Sequence, residues 1–148
     1  MATYQSVTEK DRIDVRPHLE CAAETLRAAE VLVREGLPGD AVTRAHQACV
    51  HAERALLATE KRSPPDVRSV HRMATLHFLQ NDRLPPQGLA AVEHLWELRC
   101  RVDDLPLARV APDEAEQALA AARSFVADVR AHLAAEGHAT DAPAAGEA

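Results

Sequence analysis

Arg99 is the residue whose position in this chain most demands a chemical partner. In the run Leu95-Trp96-Glu97-Leu98-Arg99-Cys100-Arg101-Val102-Asp103 it follows Trp96 by three residues and Val92 by seven. That spacing sets it on or beside the apolar stripe of a helix instead of on the solvent face. A guanidinium there either reaches water along the edge of the stripe or finds a carboxylate. Asp103, four residues on, stands about one helical turn away and could form a charge-assisted pair with it.

The chain has eight histidines, and their spacing does not make a metal site. His46 and His51 are five residues apart and point to different sides of a helix, and His71 and His77, six apart, are poorly aligned. No His-Glu-x-x-His occurs, and His46 with Cys49 offers only a lone i, i+3 pair. The expectation is surface or partly buried histidines, with no metal and no cofactor. Ser6, Ser63, Ser69 and Ser124 lack a nucleophile-elbow context, and the five glycines build no phosphate-cradling loop. Cys21, Cys49 and Cys100 are odd in number and widely spaced, which predicts reduced, mostly buried small side chains.

At 148 residues and 47% hydrophobic, the chain can build one core without disulfides or a metal. Aromatic residues make up only 3%, and Ala, Leu and Val carry the apolar content, so closely packed helices are expected in preference to a sheet. No basic segment leads into an apolar run at the N-terminus and no stretch is long enough to span a bilayer, so the expectation is a cytoplasmic protein without a membrane partner. A net charge of −6 disfavours indiscriminate nucleic-acid binding. The charge is unevenly spread: Lys61 to Arg101 carries seven basic and four acidic residues, making the middle of the chain its basic part.

The elements that must position these residues follow from apolar spacing. Leu19, Ala22, Ala23, Leu26, Ala29 and Val33 mark one face of a helix over about 17–35, which Gly36, Pro38 and Gly39 stop. Asp40 is the expected N-cap of a second helix with Ala41, Ala45, Ala48, Cys49, Ala52, Ala55 and Leu56 inward, ended by Ser63-Pro64-Pro65. The short linker predicts an antiparallel hairpin. A shorter third segment covers 66–79, with Val70, Met73, Ala74, His77 and Phe78 as core contacts. A fourth helix uses Leu89, Val92, Leu95, Trp96 and Val102 and ends near Asp103. Pro112-Asp113-Glu114 starts a fifth, whose stripe is Ala115, Leu119, Ala122, Phe125, Val126, Val129 and Leu133. The predicted organisation is a polar arm over 1–15, a helical domain over 16–136 and an unstructured Ala/Gly/Pro tail over 137–148. The fold class is all-α, a single-domain antiparallel bundle of four to five helices.

From Leu19 to Leu133 the order of signals resembles a HEPN domain. The likeness rests on the Ala-rich first helix, on HQACVHAERALLA at 46–58, on His71 at the start of the third segment, and on LWELRCRVDDLP at 95–106. An acidic helix start and Ala122-x-x-Phe125-Val126 follow. In nuclease members an Arg followed after four to six residues by His forms the site, and two subunits bring two such motifs together. By resemblance Arg99 is that arginine, but positions 104–106 hold Asp104, Leu105 and Pro106, none of which can move protons as His does. A second branch reads Arg, three residues, Asp-Tyr; Arg99 and Asp103 match it, and Asp104 stands where the Tyr would be.

The resemblance implies a dimeric, catalytically degenerate HEPN protein that acts as a binding or regulatory module. The expected partner is a nucleotidyltransferase-type protein, RNA or a nucleotide. Arg99, Asp103 and Asp104 are the candidate catalytic residues, and Arg99, Arg101, His71 and His94 the candidate binding residues. The alternative is a metal-independent, toxin-like RNA endonuclease centred on Arg99, its proton-transfer group drawn from His71, His94 or the second subunit. A third reading is a purely structural scaffold.

Overall fold

The structure, a computed structural model, describes residues 13–141 except 106 and 108. Most of the expected N-terminal arm and C-terminal tail lies outside the described residues, as does Pro106. Five helices follow in order: α1 (Arg16–Arg34), α2 (Pro38–Ala58), α3 (Val67–Ala74) running on into a π-helical turn (Thr75–Leu79), α4 (Gln87–Asp104) and α5 (Pro112–Ala135). No strand occurs among the described residues.

α2 is the central helix, packing against α1, α3, α4 and α5. Its face explains why: Ala41, Ala45, Ala48, Cys49, Ala52 and Ala55 are buried and small, so neighbouring helices approach closely. α1 returns onto α2 through the three-residue link Glu35–Leu37, in which Gly36 takes a left-handed φ of 75° that costs glycine little. α2 starts earlier than Asp40, with Leu37 at the N-cap and Pro38 in the first turn, because proline already has the φ a first turn needs. Asp40 lies inside that turn, where its charge still suits the helix dipole.

Asp66 caps α3 by accepting hydrogen bonds from the Ser69 N–H at 2.8 Å and the Ser69 hydroxyl at 3.0 Å. The π-helical turn carries buried Phe78 and Leu79 under the bundle. On α4, Val92, Leu95 and Leu98 are buried, whereas Trp96 and Val102 are only partly covered. On α5 every residue of the predicted stripe is buried. The α5 start is held by Glu114, whose Oε1 accepts from the Ala111 N–H at 3.1 Å. The cysteines do not share one fate: Cys49 is buried, Cys100 intermediate and Cys21 exposed on the outer face of α1. Cys21 contradicts the expectation of mostly buried thiols, because it flanks the buried α1 stripe of Leu19, Ala22 and Ala29 instead of lying on it.

Candidate functional site

The inward face of α2 is almost wholly apolar, and two polar residues interrupt it. His46 is 1% exposed and Glu53, seven residues on, is 0% exposed. Each is answered by a residue of another helix. Arg99 of α4 donates from Nη1 to His46 Nδ1 at 3.1 Å, and His71 of α3 is paired through Nδ1 with Glu53 Oε2 at 3.0 Å. Buried polar groups need such partners, since leaving one unpaired costs more than the bond gains. Glu53 Oε1 nevertheless remains without a partner among the described residues.

The two pairs have opposite electrostatic character. Burial, with the Arg99 charge and then His71 adding to it, lowers the His46 pKa to about 4, so the ring is neutral near pH 7. Arg99 can only donate, so Nδ1 must accept and the ring proton sits on Nε2. Glu53 is pushed up by burial, against the pull of His71. His71 is pushed up chiefly by its hydrogen bond to Glu53, with burial opposing and the Glu53 and Glu93 charges assisting. The Cys49 thiol, between His46 and Glu53 on the same face, is raised by burial and remains a protonated, inert side chain.

Arg99 is 27% exposed along its side chain, and Asp103 Oδ2 stands 3.5 Å from its Nε. The guanidinium is therefore held on one side by a neutral ring and on the other by a half-exposed carboxylate. Its neighbour Trp96 covers His46, with ring centroids 5.4 Å apart and planes inclined at 58°. Beside Trp96 a cleft of about 280 Å³ opens between α3 and α4, lined by Arg68, His71, Glu93, Trp96 and Glu97.

The other candidate residues lie elsewhere. Arg101 is engaged by Glu114 of α5, and its buried Nε has no partner among the described residues. His94 is exposed and lines a separate groove of about 380 Å³ with Gly88, Ala91, Ala121 and Phe125 on the α4–α5 side. Asp104 is exposed at the end of α4. The structure thus brings Arg99 together with Asp103 and, through His46 and Trp96, next to the His71 cleft. It does not bring Arg101 or His94 to them.

Sequence reasoning missed His46 and Glu53. The expectation of surface or partly buried histidines fails for His46 because it falls on the small-residue stripe of α2, one turn before Cys49. That stripe carried the signal: a His and a Glu seven apart on an Ala-rich face must both be buried if the face is. No group of three or more His, Cys, Asp or Glu residues that could hold a metal occurs among the described residues.

A HEPN domain family model matches residues 15–132. The chain belongs to the HEPN domain family. The match starts at the foot of α1 and ends near the end of α5, so it covers the helices that carry both buried pairs. The chain is also similar to a Methanocaldococcus jannaschii protein named "Putative toxin MJ0605", 29% identical over 133 residues, covering 87% of this chain and 96% of that protein. No described helix is long and apolar enough to cross a membrane.

Proposed function

We propose that this HEPN domain is the toxin-like or regulatory half of a two-component pair. In this reading it acts as a dimer and binds RNA or a nucleotide phosphate through Arg99 without cleaving it. The observation that carries the reading is the clamp on Arg99. One of its acceptors is a histidine held neutral by burial, so the cation is fixed in direction and only the half-exposed Asp103 carboxylate competes with an anion for its charge. A proton relay through that histidine is disfavoured, because His46 is buried and its pKa is about 4. The name of the M. jannaschii relative supports a toxin-type context. A nucleotidyltransferase-type protein is the partner class that the family resemblance implies.

The test is a fluorescent-RNA assay in chelator that reads both retention and cleavage, with protein and Arg99→Ala both checked for helicity. Expected is retention of RNA or nucleotide by the parent, loss of retention in Arg99→Ala, and no cleavage by either. Sedimentation should show a dimer, and a monomer that retains no ligand and no co-expressed protein overturns the reading.

One observation favours a second reading, RNA cleavage with His71 as the proton-transfer group. His71 is oriented by a fully buried carboxylate and lines an open cleft. Cleavage in chelator that is lost in His71→Gln would establish it.

A further inference from the structure

The α3–α4 cleft has a lining that is selective in its chemistry. Arg68 and His71 stand three apart on one face of α3, and Glu93, Trp96 and Glu97 share one face of α4. One wall is therefore cationic, and the other presents an indole flanked by carboxylates. His71 is held from behind by Glu53 at 3.0 Å, and its pKa is raised, which favours a charged ring beside Arg68. Glu93 contributes to that shift and so lies within electrostatic reach of His71. Glu97 is exposed and has no hydrogen bond or ion pair among the described residues.

We propose that this cleft binds a guanine nucleotide, its base stacked on Trp96, its N1–H and 2-amino group donating to Glu97, and its phosphate facing Arg68 and His71. A carboxylate only accepts hydrogen bonds, and guanine presents two adjacent donors on its pairing edge. Adenine and cytosine each present one donor beside a ring acceptor, and uracil sets its single donor between two carbonyls, so each of these places an acceptor against the carboxylate. Base stacking on an aromatic side chain with hydrogen bonding at the pairing edge is the way single nucleotides are read. The volume, about 280 Å³, is just under the usual range for small-molecule pockets, roughly 300–1,000 Å³, and suits one nucleotide instead of a longer segment. An arginine side chain of a protein partner would also satisfy an indole and two carboxylates, but the Arg68 and His71 wall repels it and attracts a phosphate.

This inference rests on the nucleotide-binding reading of the protein and adds to the Arg99 phosphate contact a neighbouring subsite that reads a base, with its own phosphate contacts at Arg68 and His71. Trp96 is the only tryptophan in the chain, so its fluorescence reports stacking in this cleft directly. The experiment titrates the full chain with GMP, IMP, AMP, CMP and UMP, and with N-acetylarginine amide. Expected is quenching by GMP with a Kd about tenfold below that for AMP, the scale of paired hydrogen bonds to a charged acceptor. IMP, which lacks the 2-amino group, should fall between them. Glu97→Gln, an exposed substitution, should bring GMP and AMP together, and Arg68→Ala should weaken every nucleotide. Equal quenching by all five nucleotides, a GMP preference that survives Glu97→Gln, or tight binding of the arginine amide alone overturns the proposal. RNA retention through Arg99 without base selectivity at Trp96 overturns it too, while leaving the proposed function standing.

Discussion

Acidification should destabilise this protein through one buried ring. An exposed histidine titrates near 6.5, and native His46 is lowered to about 4. Between those values the unfolded chain takes up a proton that the native site refuses, so stability is full above pH 6.5 and is lost as pH falls toward 4. At about 1.4 kcal/mol per pKa unit, the loss between pH 7.5 and pH 5 is about 2 kcal/mol. His46→Asn isolates it, because the amide oxygen can stand in for Nδ1 as acceptor to Arg99 but does not titrate. Urea unfolding followed by circular dichroism at both pH values gives the stability of each protein, and the remaining titratable groups are common to both. The expected result is that the parent loses about 2 kcal/mol more than the variant over this interval. Parallel losses would refute the reasoning, since they would mean that His46 takes up its proton equally well in the folded state.

Glu53→Gln removes the carboxylate whose hydrogen bond and charge hold up the His71 pKa, so the NMR titration midpoint of His71 should move down; an unchanged midpoint would mean that the pair does not persist in solution. Arg99→Ala leaves His46 Nδ1 without its donor and should cost about 1–3 kcal/mol in chemical denaturation, with the fold kept. Stability equal to the parent would show the clamp to be idle. Phe125→Ala, at a buried position on α5, should cost about 3–5 kcal/mol, and a loss below about 1 kcal/mol would place that face of α5 outside the core.

Local spacing was enough to define the helices. The α5 stripe from Ala115 to Leu133 and the small-residue face of α2 are one-dimensional patterns with a period of 3.6, and both are buried as that period requires. Family membership was legible for the same reason: the order of these helices and the 95–106 segment survive without any knowledge of packing. Element starts were less legible, as Asp40 shows, because a polar residue just after Pro38 and Gly39 suits either an N-cap or a first turn.

The site was legible only in part. Arg99 and Asp103 share one helix, so their spacing alone predicted that they would be within reach of each other. His46 lies 53 residues before Arg99, and Glu53 lies 18 before His71. No periodicity within a segment encodes which face of α2 meets α4 and which meets α3. Sequence by itself determined that a polar residue on an Ala-rich stripe would need a partner, since desolvation penalises any buried polar group. Only the tertiary packing decided who that partner is. By placing His46 under Trp96 and Glu53 behind His71, it made one histidine neutral and raised the pKa of the other.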